Sequence, residues 1–119
     1  MACEVEFTDE FEQWWITLDE ATQDSIDVAV RLLEEQGATL RFPYSSDVKG
    51  SRHSHMRELR VQHKGEPYRI LYAFDPRRVA VLLLGGNKVG NNRWYEENVP
   101  KADKLYDKLL EELRGEGLI

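Results

Sequence analysis

Three hydrophobic runs in the middle of the chain predict the strands of a β-sheet. They cover residues 56–62, 68–74 and 79–84 and are rich in β-branched, aromatic and leucine side chains. The segments between them, 64–67 and 75–76, contain glycine, proline and aspartate, which are typical of turns. Connections this short force neighbouring runs to pair antiparallel. We therefore predict a three-stranded meander at the centre of the fold.

Side-chain alternation in the second run separates an arginine from the aromatic residues. Tyr68, Ile70, Tyr72 and Phe74 share one face of the predicted strand, and Arg69 points to the other. The third run is apolar throughout, which is typical of a strand covered on both faces. A guanidinium on an otherwise apolar sheet face is a first indication of a functional surface.

The segments on either side of the meander predict helices. After a possible short strand at 3–7, Thr8 or Asp9 offers an N-cap for a first helix. Trp14 and Trp15 could form a base-stacking platform, but their helical spacing with Phe11 favours packing in the core. A second helix is predicted at 19–36, ending before a glycine, and a closing helix is expected to begin at residue 100, a proline.

Together these elements predict a single domain of the α+β class spanning residues 1–119. An N-terminal helical hairpin would pack on a small, mainly antiparallel sheet of three to four strands, followed by the closing C-terminal helix. Two loops, 38–55 and 85–95, remain between the elements. Loops of this length inside a compact domain are often functional.

The net charge of −6 conceals a strongly uneven distribution. Residues 1–40 carry one basic and eleven acidic side chains, whereas residues 41–95 carry eleven Lys and Arg against four acids, a net charge of +7. Although the total argues against nucleic-acid binding, the central segment favours it. The alternative is that these arginines only form a solvated face that protects sheet edges from aggregation.

Composition limits the other classes of function. The chain contains no apolar run of the roughly 20 residues that a membrane span needs and no secretory signal pattern, so we expect a cytoplasmic protein without a membrane partner. Cys3 is the only cysteine. The three histidines lack further ligands at tight spacing, which makes a zinc site improbable on sequence grounds. The glycines at 85–86 lack the remaining elements of a phosphate-binding loop.

Cations, histidines and aromatic residues instead fall in three places that a meander would bring together. These are the end of the first loop, the middle strand and the second loop: Lys49, Arg52, His53 and His55; Arg69; and Lys88, Arg93, Trp94 and Tyr95. Such a set suits RNA, because cations hold phosphate and aromatic rings stack on unpaired bases. It could also support strand scission through the 2′-hydroxyl, with His, Tyr or Lys moving protons and Arg or Lys stabilising charge. No metal or other cofactor is required.

The residues that carry this chemistry also resemble a known family. The motifs MRELR at 56–60, YRILY at 68–72 and VLLLGGNK at 81–88, followed by Trp94, Tyr95 and Pro100, look like the strands and closing region of the RelE/HigB toxin superfamily, and most of all its phage-derived HigB-like branch. The resemblance implies a toxin of a type II toxin–antitoxin pair that cleaves mRNA in the ribosome. It also implies a cognate antitoxin with a helix-turn-helix.

Carried over by position, the resemblance assigns the candidate residues. Arg69 takes the place of the family's strand arginine, which stabilises phosphate, Lys88 that of the cation after the last strand, and Tyr95 or Trp94 that of the C-terminal aromatic residue. No cofactor is implied. Glu58 stands where RelE-type members have a lysine, which removes one candidate base and favours His55 or His53. We therefore expect Arg69 and Lys88 to stabilise phosphate and a histidine of this pair or Tyr95 to transfer protons. The remaining RNA-binding candidates are Lys49, Arg52, His53, Arg57, Arg60, Arg93 and Trp94.

Two other readings remain open from the sequence. A ParE-like toxin on the same fold would inhibit a topoisomerase by binding and cleave nothing, so it would not need clustered acid–base residues. An inactive relic would only bind its antitoxin. In either case the basic sheet predicts a complementary acidic or amphipathic antitoxin segment.

Overall fold

The structure is a computed structural model that describes residues 2–119. Five strands form one sheet, and three α-helices and a short 3₁₀ turn complete the fold. The strands are β1 (Val5–Phe7), β2 (Ser45–Asp47), β3 (Arg57–His63), β4 (Glu66–Phe74) and β5 (Ala80–Asn87); the helices are α1 (Asp9–Trp15), α2 (Glu20–Gln36) and α3 (Trp94–Gly115), and the 3₁₀ turn covers Gly37–Thr39.

The sheet has the strand order β1-β5-β4-β3-β2. The predicted meander of β3, β4 and β5 is present and antiparallel, and β1 adds to it in parallel to β5. Arg69 pairs with Arg60 on one side and with Gly86 on the other. Arg69 therefore lies between β3 and β5, near one end of the sheet.

Helices cover both faces of the sheet, so the hydrophobic core has two layers. The aromatic face of β4 packs with Phe11, Ile26 and Leu33 from α1 and α2. On the opposite face Leu71 and other aliphatic residues pack with α3. The α+β class is confirmed, and the apolar last run is buried on both faces as expected.

The helix ends follow the predicted signals. The Thr8 hydroxyl accepts a hydrogen bond from the backbone N–H of Phe11, at 3.0 Å, and caps α1. The Asp19 carboxylate caps α2 in the same way through the N–H of Thr22, at 2.8 Å. Gly37 then ends α2 with a positive φ of 58°, a conformation that glycine adopts without steric cost.

Two sequence predictions about the loops were wrong. The first loop contains a strand, because β2 pairs antiparallel with β3 and raises the strand count to five. The second loop is shorter than expected, because β5 continues to Asn87 and α3 begins at Trp94, with Pro100 inside the helix. The side chain of Trp94 is only 5% exposed, so its burial draws the first turn of α3 onto the sheet.

Two consecutive glycines, Gly85 and Gly86, lie inside β5, where tryptophan side chains pack directly against them. A Cβ atom on Gly85 would lie 2.2 Å from Cζ3 of Trp14, and one on Gly86 would lie 2.7 Å from Nε1 of Trp94. The two indoles approach the strand from opposite layers of the core. These glycines therefore provide room for tryptophan packing rather than forming a turn. None of the described helices has the length and apolar character needed to cross a membrane.

Candidate active site

A cluster of charged residues lies where the first turn of α3 meets β3 and β4. We call it the Tyr95 cluster and define it as Glu58, Arg60, Arg69, Lys88 and Tyr95. Glu58 and Arg60 alternate with the core residues of β3, and Arg69 pairs with Arg60 across the strands. Helix α3 contributes Tyr95 from its first turn, and Lys88 follows the end of β5. The cluster thus joins four segments of the fold.

The carboxylate of Glu58 is the centre of this cluster. It is only 4% exposed. Its Oε1 accepts a hydrogen bond from the Tyr95 hydroxyl at 2.6 Å, and its Oε2 accepts one from Ser46 Oγ at 2.7 Å. Arg60 Nη1 lies 3.3 Å from Oε2, and Arg69 Nε lies 3.7 Å from Oε1. A buried carboxylate with this many donors fixes the positions of the groups around it.

Tyr95 is held as a neutral hydrogen-bond donor. Burial raises the pKa of its phenol above the usual value, and the hydrogen bond to the Glu58 carboxylate raises it further, while the nearby Arg69 opposes the shift. The ammonium of Lys88 lies 5.7 Å from the centroid of the Tyr95 ring, at the distance of a cation–π contact. The hydroxyl is therefore oriented by a carboxylate, and the ring lies close to a cation.

Arg69 is a buried cation whose hydrogen bonds are incomplete. It is 5% exposed, and its Nη1 donates to the carbonyl of Tyr68 at 2.9 Å. Its Nε lies within ion-pair distance of Glu58 but makes no hydrogen bond. Buried donors are normally paired. Arg69 also lines a surface pocket of about 220 Å³ together with Pro43, Arg60 and Gln62. The pocket connects the guanidinium with solvent.

The Tyr95 cluster contains more positive than negative charge. Three cations, Arg60, Arg69 and Lys88, are opposed within it by one carboxylate, which leaves a formal charge of +2. A phosphate group would supply the missing negative charge. The arrangement can therefore bind a phosphodiester beside a tyrosine hydroxyl.

The structure places the predicted histidines elsewhere. His53 Nε2 lies 2.9 Å from Asp107 Oδ1, and His55 Nε2 lies 3.1 Å from the Tyr106 hydroxyl. That hydroxyl also donates to the carbonyl of Phe74 at 3.0 Å. Phe74 is the last residue of β4, five residues beyond Arg69, which corresponds to about 17 Å along a strand. The expected convergence of His53 and His55 with Arg69 is therefore not seen.

We call the region around these histidines the histidine end and define it as Ser51, Arg52, His53, His55, Asp103, Tyr106 and Asp107. Arg52 forms an ion pair with Asp107. Asp103 accepts hydrogen bonds from Ser51 Oγ at 2.5 Å and from the backbone N–H of Arg52 at 3.0 Å. These contacts fasten the loop before β3 to α3.

The other predicted RNA-binding residues fall into different surroundings. Arg57 points to the α2 side of the sheet, where it contacts Asp47, Ser45 Oγ and the carbonyl of Leu40. Trp94 is packed against Gly86 in the core and has no free face for a base, which corrects its assignment as a stacking residue. Arg93 is exposed and pairs with Glu96, and Lys49 is exposed in the loop after β2. Only Arg60 of this group belongs to the Tyr95 cluster.

Within residues 2–119 no group of three His, Cys, Asp or Glu side chains is arranged to hold an ion.

Comparison with known proteins identifies the family. Residues 13–107 match the model of the phage-derived Gp49-like proteins. The chain belongs to the Gp49-like family. Over 107 residues it is 43% identical to a Mycobacterium tuberculosis protein named as toxin HigB3, which covers 89% of this chain and 92% of the relative. A second protein of this organism, named as toxin HigB2, is 41% identical over 82% of this chain, which spans only 49% of that relative's length.

Solved structures place this Gp49-like protein in the RelE fold. A doubly substituted E. coli RelE in the free state superposes with a TM-score of 0.59 at 13% identity, covering 85% of this chain and 97% of RelE. RelE in the archaeal RelE–RelB complex from Pyrococcus horikoshii gives a TM-score of 0.55 at 15% identity, covering 76% of this chain and 99% of that one. Together with the sequence relatives, this confirms membership of the RelE/HigB toxin superfamily.

Sequence reasoning treated Glu58 as a lost base and gave it no role in the site. The structure makes it the anchor of Tyr95, Arg60 and Arg69. The strand pattern could have indicated this role. Glu58 lies on the same face of β3 as Arg60 and pairs across the strands with Leu71. An acid at such a position needs cationic or hydroxyl partners, and the nearest cations in the register are Arg60 and Arg69.

Proposed function

We propose that this Gp49-like protein is the toxin of a type II toxin–antitoxin system and that it inhibits translation by cleaving mRNA on the ribosome. The observation that carries the proposal is the Tyr95 cluster, in which an oriented phenol lies beside three cations with a single counter-charge. The names of the M. tuberculosis relatives and the RelE fold support the same class.

In the proposed reaction the 2′-hydroxyl attacks the adjacent phosphorus, and the bond from phosphorus to the 5′-oxygen breaks. The 2′-hydroxyl proton passes to water, and the Tyr95 O–H turns from Glu58 Oε1 to protonate the leaving 5′-oxygen. The resulting phenolate then takes a proton from water, which restores the phenol. The products are a 2′,3′-cyclic phosphate and a free 5′-hydroxyl. A tyrosine phenol, with an ordinary pKa of about 10, is protonated at neutral pH, as this role requires.

The cations supply the electrostatic part of catalysis. Arg69 is buried and fixed on the middle strand, so its incompletely paired guanidinium can bind the phosphoryl oxygens with little reorganisation. Arg60 and Lys88 lie on either side of it, near Glu58 and the Tyr95 ring. Glu58 is a positioning residue, because it holds the tyrosine and both arginines and is itself shielded from solvent.

The same geometry favours Tyr95 over the histidines as the proton-transfer group. Tyr95 touches the carboxylate that also contacts Arg69. His55 is hydrogen-bonded to Tyr106 at the other end of β4. The chemistry we propose uses the phenol, the guanidinium and the ammonium groups, and no metal ion takes part.

The proposed partners are the ribosome with its mRNA and a cognate antitoxin. RelE relatives of the same fold occur in complexes with RelB antitoxins from E. coli and P. horikoshii. By analogy an antitoxin, carrying a helix-turn-helix as HigB-type partners do, would silence this protein. The charge of the Tyr95 cluster favours an acidic antitoxin segment that covers it.

The discriminating experiment compares Tyr95→Phe with His55→Gln. The first substitution removes only the hydroxyl and should lower the cleavage rate on programmed ribosomes by about 10²-fold or more. The second should change it by no more than a few-fold, because His55 lies outside the cluster. Cleavage is measured by mapping mRNA 5′ ends, with and without a chelator.

Three results would contradict the proposal. An inactive His55→Gln variant beside an active Tyr95→Phe variant would move the chemistry to the histidine end. Loss of cleavage when transition metals are chelated, at a Mg²⁺ concentration that keeps the ribosomes intact, would show that a metal takes part. Arrested DNA synthesis with intact mRNA would instead favour an inhibitor of the ParE type.

A further inference from the structure

Phe42 is an aromatic residue that the proposed chemistry does not use. Its side chain is 70% exposed, the highest value among the large hydrophobic residues that the structure describes. It lies in the segment between the 3₁₀ turn and β2, away from both layers of the core. A phenylalanine with most of its ring in water contributes little to the core, and its ring remains available for contact with a ligand.

The ring is tied to the Tyr95 cluster through Arg60. The Arg60 guanidinium lies 5.0 Å from the centroid of the Phe42 ring, and the Arg60 backbone N–H donates to the carbonyl of Tyr44 at 2.9 Å. This backbone bond holds the segment that carries Phe42 beside β3. A cation thus lies over the ring, but most of the Phe42 surface remains exposed to solvent.

The residue next to Phe42 borders the pocket that contains the catalytic arginine. Pro43, Arg60, Gln62 and Arg69 together line this pocket of about 220 Å³. The register places Gln62 two residues after Arg60 on β3, on the same face of the strand. A primary amide and two guanidiniums therefore surround one opening, and one of these guanidiniums, that of Arg60, also contacts the exposed Phe42 ring.

We propose that Phe42 is a stacking platform for an unpaired nucleobase next to the scissile phosphate, so that the site binds single-stranded RNA as base and phosphate together. This inference rests on the proposed function and deepens it. Aromatic rings stack on any base, and a neighbouring arginine adds cation–π and phosphate contacts. The Gln62 amide can both donate to and accept from the base edge, which would give the subsite a base preference.

The charge around Phe42 favours RNA over a protein as the occupant. Arg60 and Arg69 border the pocket, and the carboxylate opposing them, Glu58, is already engaged by Tyr95 and Ser46. The side chain that contacts the Phe42 ring is the cation Arg60. A positive charge at this place attracts RNA more than it attracts an apolar protein segment.

The test measures stacking directly. A short single-stranded RNA with 2-aminopurine beside a 2′-deoxy scissile nucleotide is offered to the protein, both free in solution and in the A site of programmed ribosomes. The dissociation constant and the fluorescence quenching of 2-aminopurine are recorded for wild type, Phe42→Ala, Phe42→Leu and Phe42→Trp. Val28→Ala, which changes another highly exposed apolar residue on the outer face of α2, is the matched control.

Phe42→Ala should weaken binding by at least about fivefold and abolish the quenching, because stacking on an aromatic side chain commonly contributes that much. Phe42→Leu should behave like alanine in quenching, and Phe42→Trp should restore it. Val28→Ala should match wild type. Unchanged thermal unfolding in all variants would confirm that the fold is intact.

Other outcomes overturn the inference and separate it from the proposed function. If wild type cleaves mRNA but Phe42→Ala binds and quenches like wild type, the stacking subsite is wrong and the nuclease stands. If Phe42→Ala binds RNA normally but loses affinity for the purified antitoxin, the ring is a protein contact. If wild type neither binds nor cleaves RNA in either setting, both proposals fail.

Discussion

The two ends of the contact between α3 and the sheet use similar residues for different purposes. At the histidine end, Arg52 and His53 share the Asp107 carboxylate, and Asp103 binds the loop backbone. At the other end, Glu58 contacts Arg60 and Arg69, and the third cation of the Tyr95 cluster, Lys88, lies against the Tyr95 ring. Both ends join a strand or loop to one helix through carboxylates. Only one of them leaves cationic charge unmatched.

This difference shows why residue type alone does not identify a catalytic group. Histidine is the usual proton-transfer residue, and two histidines stand before β3. Their hydrogen bonds nevertheless connect the loop to α3. Arg69 also has structural contacts, with Glu58 and the carbonyl of Tyr68, but its Nε makes no hydrogen bond. The proposed function therefore uses the incompletely paired cation instead of the paired histidines.

The largest expected effect is on the rate of mRNA cleavage, which should respond to substitutions at the Tyr95 cluster but not at the histidine end. Arg69→Ala should lower the rate of mRNA cleavage by about 10²- to 10³-fold, because it removes a fixed donor for the charged transition state. Arg52→Ala, the matched substitution at the histidine end, should leave the rate almost unchanged. Both rates are measured on programmed ribosomes, with circular dichroism to verify folding. Equal losses in the two variants would remove the distinction between the ends.

The second prediction concerns stability, and here the effect is expected at the histidine end. Asp103 is 3% exposed and binds both Ser51 and the Arg52 backbone, so Asp103→Ala should lower the free energy of unfolding by about 2–3 kcal/mol. Asp107→Ala should cost less, because that carboxylate is partly in solvent. Urea titrations of both variants test this. A larger loss for Asp107 would show that the exposed ion pairs dominate the docking of the loop.

The smallest effect is a dependence on pH at the histidine end. Hydrogen bonds from Arg52, and then from His53, hold the pKa of the Asp107 carboxyl below its usual value. Its contribution to stability is therefore present above the unfolded carboxyl pKa of about 3.9 and disappears as the pH falls through the lower folded value. The difference in unfolding free energy between wild type and Asp107→Asn should shrink across this acidic range. A constant difference down to pH 2 would contradict the assignment.

Local signals were sufficient to predict much of the fold. The short turns before β4 and β5 imposed the meander, and Thr8 and Gly37 marked helix ends through capping and positive φ. The start of α3 was missed because it depends on a tertiary contact. Trp94 reaches its place only through the space above Gly86, which no local propensity records.

The candidate site was predicted only in part, for a related reason. Arg69 and Lys88 could be placed near each other from strand pairing, since their neighbours Tyr68 and Asn87 face each other across β4 and β5. Tyr95 was a candidate by resemblance, but its partner Glu58 required knowledge of where α3 begins. Because the position of His55 depends on how a long loop docks, spacing along the chain could not exclude it.

The burial of Trp94 has a consequence for the proposed binding of substrate. The Tyr95 phenol belongs to the residue directly after Trp94, whose side chain is buried in the interior. Its placement is thus inherited from the packed interior and not from a mobile segment. If RNA binds here as proposed, little of the binding energy should be spent on ordering the protein, because the position of the Tyr95 ring is already fixed. Trimming the indole would misdirect the phenol without altering any group that touches the substrate.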